Sequence, residues 1–338
     1  MKPMMQCTLG AVMLVVNSPQ IHAENFYTDR QMQIIISTAP GTVFDQYARL
    51  IAQYLEQHIP GNPRILPIYM PGAGGIRAIN HIANAVPKDG SVIVMTNQGV
   101  PMYQALELGD ALRVDVRQLN WIGNMSSSNQ VLATWHTSKT KSLEDARLKK
   151  TIVGITGAGS INSQLPFLFN NMLSTKLIIV GGYKAGTDIN LAMERGELDG
   201  RGSNTWASYE ALNSDWINNG LIIPIIQVGI RKESTLGHVP LLIDQAKNEE
   251  ERSIYNLISQ VAMISRPIAT SPNIPLERIE ILRKAFKNAM NDESFIKDTA
   301  QQRMEISVLD GEDLQKMVSE IINVPVSVRE KAKAAMGL

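Results

Sequence analysis

The sequence predicts an α/β protein built as two lobes with a helical tail, and three observations point there. Short β-branched runs alternate with amphipathic helical patterns through residues 34–96. The alternation restarts after the middle of the chain, and from residue 275 the pattern becomes mainly helical. At 338 residues the chain has room for two domains, and with 44% apolar and 19% charged residues it can bury an ordinary core.

Ile34-Ile35-Ile36 opens the first lobe as a strand, and Phe44, Tyr47, Ala48, Ile51, Ala52 and Leu55 follow at helical spacing, so residues 42–57 read as an amphipathic helix. Pro60-Gly61 closes that unit. Residues 64–69 form the next strand, the glycine loop of residues 71–75 leads into a helix marked by Ile76, Ile79, Ala83 and Val86, and residues 91–96 are a third strand. Such a β-α-β-α-β order belongs to a mostly parallel sheet covered by helices. The pattern restarts after the middle, with strands at 131–135, 151–156, 177–180 and 221–228 and helices at 162–173 and 187–195. Residues 275–290, 294–302 and 311–323 carry the helical tail. No low-complexity tract or short repeat interrupts the pattern.

The N-terminus has the order of a signal peptide: Lys2, an apolar run at residues 7–16, the breakers Asn17, Ser18 and Pro19, and Ala23 before Glu24. The run is about ten residues, half of the roughly 20 that a membrane span needs. The expectation is therefore residues 1–23 as signal peptide, export with cleavage after Ala23, and a periplasmic product. Cleavage would remove Cys7, the single cysteine, so the mature chain would hold no disulfide and no thiolate chemistry. Lys plus Arg and Asp plus Glu are both 32, which gives no electrostatic case for nucleic acid, and aromatics at 5% give no stacking platform.

Four loops follow strand ends, where open α/β sheets bind ligands: Ala39-Pro40-Gly41-Thr42, Gly72-Ala73-Gly74-Gly75, Thr96-Asn97-Gln98-Gly99 and Gly157-Ala158-Gly159-Ser160. Three open directly into a helix, whose first turn offers free N–H groups and the positive end of the dipole, and glycine lets that backbone approach an anion. Each loop alone also reads as a tight turn. No Gly-Lys-Ser/Thr follows the glycines, and their spacing is not Gly-x-Gly-x-x-Gly, which argues against nucleotides. There is no Gly-x-Ser-x-Gly elbow and no His-Glu-x-x-His, and the five histidines, His22, His58, His81, His136 and His238, are scattered. No catalytic residue, metal site or cofactor is expected.

Taken together, Ser37-Thr38-Ala39-Pro40-Gly41-Thr42-Val43-Phe44-Asp45, Ala48-Arg49-Leu50, Tyr69-Met70-Pro71-Gly72-Ala73-Gly74-Gly75 and Ala85-Val86-Pro87-Lys88-Asp89-Gly90 resemble the tripartite tricarboxylate transporter receptor family, the Bug-type periplasmic solute-binding proteins. Gly157-Ala158-Gly159-Ser160, Tyr183-Lys184-Ala185-Gly186, Gly196-Glu197-Leu198-Asp199-Gly200 and Gly237-His238-Val239-Pro240 extend the resemblance over nearly the whole mature chain. It implies a type II-like periplasmic binding protein, each lobe a mostly parallel sheet flanked by helices, with two crossing strands and a ligand cleft between lobes. Lobe 1 is expected at 24–136 plus 236–338 and lobe 2 at 137–235. It implies a monomeric receptor for a small carboxylate, with the permease subunits of an ion-gradient-driven transporter as membrane partners. The family holds the carboxylate mostly by backbone amides of the first two loops and by water, which here means Ala39, Pro40, Gly41, Thr42, Gly72, Ala73, Gly74 and Gly75; Asn97 and Gly99 are candidates from the position of the third loop at a strand end. Where the family carries consecutive glycines, this chain has Thr42, Val43 and Phe44 after Gly41, a bulkier wall that would either narrow the cleft or change the ligand. Asp45 keeps the family's acidic position and is placed to fix the first loop.

Ser160, Thr187, Arg201 and Asn204 are the second-lobe candidates. Arg201, flanked by Gly200 and Gly202, reads as a loop residue at a strand end. It is either a fork for a distal carboxylate or a surface arginine paired with Asp199. The competing functional readings are the binding component of another importer, a sensory module, and an enzyme acting on a carboxylate, the last without a catalytic constellation in the sequence.

Overall fold

The computed structural model describes residues 26–157 and 160–336, so the expected signal segment lies outside the described residues. In the first lobe β1 (Gln31–Ile36), α1 (Val43–His58), β2 (Arg64–Tyr69), α2 (Ile76–Asn84) and β3 (Val92–Met95) follow in order, and β1 pairs in parallel with both β2 and β3. The helix α1 forms where expected because Thr42 caps it, its hydroxyl accepting from Asp45 N, and because Tyr47, Ile51, Tyr54 and Leu55 bury one face. A short α3 (Gly99–Ala105) and β4 (Asn120–Asn124) complete the first pass.

The second lobe holds β5 (Gln130–Trp135), α4 (Leu143–Leu148), β6 (Thr151–Gly154), α5 (Ile161–Leu173), β7 (Leu177–Val180), α6 (Gly186–Glu194), β8 (Gly200–Thr205), α7 (Trp206–Leu212), α8 (Ser214–Asn218) and β9 (Ile222–Val228). The return pass adds α9 (Glu249–Ala262), β10 (Pro267–Thr270), α10 (Leu276–Met290), α11 (Glu293–Gln301), β11 (Leu309–Asp310), α12 (Gly311–Ile322) and α13 (Val326–Ala335).

The strand orders are β11-β4-β10-β3-β1-β2 and β7-β6-β8-β5-β9. Both sheets are mixed. In the first, β10 returns from the other lobe and inserts between β3 and β4, antiparallel to each. In the second, β6 pairs in parallel with β7 and β8, while β5 runs antiparallel to β8 and β9. The α/β two-lobed class stands, with the parallel half of each sheet carrying the loops that face the other lobe.

Two segments cross between the lobes side by side. Met125 N donates to Arg266 O, Ser265 N to Ser126 O, and Ser128 N to Ser265 Oγ. The first crossing thus ends before residue 130 and not at 136, since β5 belongs to the second sheet. The return falls at 263–266 instead of 236. Gln227 Nε2 donates to Leu236 O and Val239 O, and both side chains pack with Trp206 and Trp216 in the second lobe's core. The first lobe's second core, on the α1 and α10 side, contains Ile34, Ile51, Phe286 and Phe295. A larger cluster continues from Val94 and Trp121 through Tyr255 and Ile258 to Leu165 and Phe169, so α9 and α5 tie the two lobes together.

Candidate functional site

A cavity of about 360 Å³ lies between the lobes, within the usual range for small-molecule sites. Its first-lobe wall comes from the ends of three parallel strands. After β1 come Ser37, Thr38 and the first turn of α1; after β2, Pro71, Gly72, Ala73 and Gly74; after β3, Asn97.

The first loop is braced from behind. Asp45 Oδ2 accepts from Gly41 N at 2.8 Å, and Asp45 Oδ1 accepts from Tyr69 Oη at 2.7 Å and from Arg49 Nε at 3.1 Å. Asp45 therefore stands behind the loop and not in the cavity wall, and it already uses the Gly41 amide. Ala39, Pro40 and Gly41 do not line the cavity; Thr42 does, its hydroxyl joined to Thr38 Oγ1 at 2.8 Å and donating to Ala39 O at 3.0 Å. Val43 and Phe44 face the cavity where the family pattern has glycine, so the bulkier wall expected from the sequence is in place.

In the second loop Gly72, Ala73, Gly74 and Gly75 all have positive φ, 143°, 46°, 65° and 102°. Ala73 holds that backbone at a steric cost of the kind concentrated at binding sites. Gly75 lies outside the lining because it packs on the end of β3: an added Cβ would stand 3.1 Å from Thr96 Oγ1 and 3.3 Å from Asn97 Cβ. Gly99 also lies outside it, donating its N–H to Asn97 Oδ1 at 2.9 Å and thereby orienting Asn97, which does line the cavity.

All four second-lobe candidates, Ser160, Thr187, Arg201 and Asn204, line the cavity. Ser160 is the N-cap residue of α5, and Thr187 lies in the first turn of α6. Arg201 is in the strand β8 and not in a loop. Gly200 and Gly202 serve close packing: a Cβ on Gly200 would stand 2.4 Å from Ala133 O of the paired strand, and one on Gly202 2.6 Å from Pro166 Cγ of α5. The pairing of Arg201 with Asp199 is absent, because Asp199 Oδ2 accepts from Ile152 N at 2.8 Å. Arg201 Nη1 instead donates to Asn190 Oδ1 at 3.2 Å, and its Nε is buried without a hydrogen-bond partner. Burial pulls its guanidinium below the ordinary value.

Sequence reasoning missed Lys184, Asn190 and Ser208 as wall residues. Asn190 follows Gly186 by one helical turn, so the α6 face holding Thr187 and Gly186 signalled it. The lining contains two cationic side chains, Lys184 and Arg201, and no Asp or Glu among the described residues. Three helices, α1, α5 and α6, begin at the wall, so their positive ends add to that bias. The wall holds an anion-attracting field and offers no carboxylate to act as acid or base.

Behind the wall lies a second polar region. Arg266 is fully buried, stacked 4.5 Å from the Phe44 ring centroid and 5.0 Å from that of Tyr47. It donates to Ser265 O at 2.7 Å, Ser208 Oγ at 3.0 Å and Thr205 Oγ1 at 3.3 Å. Near it, burial first, then the charges of Glu233 and Glu210, push the Glu305 carboxyl up to about 7.

No family model matches the chain, and no curated protein matches it. Solved structures do. The periplasmic binding protein BugD superposes with a TM-score of 0.72 at 16% identity, over 91% of this chain and 98% of that one. Rpa4515 of R. palustris, solved with adipate, gives 0.70 at 18% identity over 91% and 98%. MatC of Rhodopseudomonas palustris, with bound malate, gives 0.70 at 15% identity over 91% and 99%. The chain is thus similar in fold to Bug-type periplasmic binding proteins over nearly its full length.

Proposed function

We propose that the protein is a periplasmic solute receptor that closes its two lobes around a small carboxylate and delivers it to the permease subunits of a tripartite tricarboxylate-type transporter. The observation that carries this reading is the interlobe cavity whose lining has Lys184 and Arg201 but no acidic side chain. A wall of that kind favours an organic anion over a sugar or a cation. The first carboxylate belongs at the first-lobe loops, where Thr38, Thr42, Asn97 and the positive-φ backbone of residues 72–74 converge. The fold shared with receptors solved holding adipate and malate supports the same ligand class.

A thermal-shift screen of organic acids, sugars and cations tests the reading. A ligand bound only to the folded state at about 100 times its dissociation constant stabilises by roughly 2.7 kcal/mol. Carboxylates should raise the melting temperature. A shift with sugars or cations and none with any carboxylate refutes the assignment.

A further inference from the structure

We propose that Arg201 and the first turn of α6 form a second anion subsite, so that the ligand is a dianion without an ammonium group. The inference rests on the carboxylate-receptor reading and deepens it: one carboxylate lies against the first-lobe loops and the other on Arg201.

The argument begins at Gly186. A Cβ there would stand 2.2 Å from Arg201 Nη2 and 2.8 Å from Nη1, so the guanidinium lies directly on the first turn of α6. That is the positive end of the helix, where a cation is electrostatically disfavoured. The one acid in the turn, Asp188, faces the cap and accepts from Ala185 N at 3.0 Å. No carboxylate pairs with Arg201 among the described residues; its side-chain acceptor is the amide oxygen of Asn190, and Nε is buried and unpartnered. A desolvated cation on a helix N-terminus needs a negative charge that the protein does not supply. Its position in the cavity wall places that charge on the ligand. The planar fork of an arginine suits the two oxygens of a carboxylate.

The same lining sets what is rejected. With no Asp or Glu at the cavity among the described residues, an ammonium group on the ligand would be desolvated without a counter-charge and would stand near Lys184 and Arg201. An amine-free diacid should therefore bind more tightly than its α-amino counterpart.

Calorimetry on wild type, Arg201→Met, Arg201→Lys and Gly186→Ala, with saturated diacids, monoacids of equal chain length and α-amino diacids, tests this. In Arg201→Met the diacids should lose about 10- to 150-fold in affinity while monoacids change by less than about threefold. Arg201→Lys should recover part of the loss. Gly186→Ala keeps the charge but displaces the guanidinium, and it should reproduce the diacid loss. The ligand-free melting temperature of Arg201→Met should equal or exceed that of wild type. A lower ligand-free melting temperature with equal losses for monoacids and diacids would assign Arg201 to the fold and overturn the proposal, as would tighter binding of the α-amino diacid. Wild type that binds monoacids and diacids alike defeats this inference alone; wild type that binds no organic anion defeats the receptor reading as well.

Discussion

Gly157→Ala is the substitution that separates closure of the cleft from folding of the lobes. Gly157 follows β6 in the second lobe, and a Cβ there would stand 2.6 Å from Gly74 N, 2.9 Å from Ala73 C and 3.0 Å from Ala73 Cα of the first lobe. These atoms are backbone and cannot rotate aside, so restoring ordinary contact requires the loops to part by about 0.8 Å. Gly157 does not have a left-handed φ, so alanine adopts its backbone without strain. Overpacking of this kind costs about 1–3 kcal/mol. Because the contact crosses the cleft, that cost falls on the closed form, and affinity should drop by about 5- to 150-fold. At about 100 times the wild-type dissociation constant, a tenfold loss reduces ligand stabilisation from about 2.7 to about 1.4 kcal/mol. Calorimetry gives the affinity, and thermal unfolding with and without ligand gives the stabilisation. Unchanged affinity, or an equal loss of ligand-free stability, would refute the reasoning.

Asp45→Ala removes the acceptor of Gly41 N, Arg49 Nε and Tyr69 Oη; denaturant unfolding should show a loss of about 1.5–3 kcal/mol, and calorimetry should show weaker ligand binding as the first loop is released. The Glu305 carboxyl, raised by burial from 4.5 to about 7, makes a contribution to stability that is fully present below its unfolded value and lost as pH rises through about 7. The melting temperature should therefore fall between about pH 4.5 and about pH 7 in part through this group, and Glu305→Gln should flatten that slope. N-terminal sequencing of the protein recovered from the periplasm should begin at Glu24; an intact Met1 would contradict export by cleavage after Ala23.

The parts of the fold legible in the sequence are those with a local pattern. The helix α1 has a capping Thr42 and a clean apolar face, and β1, β2 and β3 are bounded by glycine and proline turns. The helix α9 was equally open to reading, since Asn248 caps Glu251 and Ile254, Leu257, Ile258 and Val261 recur at helical spacing. The strand β10 was not: four residues beginning with Pro267 become a strand because β3 and β4 hold them from both sides. The lobe boundary failed for a similar reason. Ser126, Ser127 and Ser128 separate β4 from β5, but nothing local says that the chain changes lobe there, and only pairing with β8 and β9 assigns β5 to the second sheet. In the site, glycine position was the weak guide. Gly72 and Gly74 reach the cavity, whereas Gly41, Gly75 and Gly99 shape the loops from behind, a distinction set by which neighbour each backbone meets.

Arg201 and Arg266 show how two inward-facing cations in one protein serve different ends. Arg266 is enclosed by acceptors from the crossing segment and from α7, and it lies over two aromatic rings of α1, so its desolvation is offset by contacts that join the lobes. Both arginines bury an unpartnered Nε, but among the described residues Arg201 has only one side-chain amide acceptor, no aromatic ring over it and the positive end of α6 beneath it. The first arrangement is stable as it stands, whereas the second becomes favourable only when a negative charge enters the cavity. The two are linked through the wall itself, since Arg266 touches Phe44 and Ser208, both of which line the cavity that Arg201 faces. An anion drawn onto Arg201 would thus act on a wall already pinned to both lobes at its base, and closure would cost little rearrangement beyond the loops around Gly74 and Gly157.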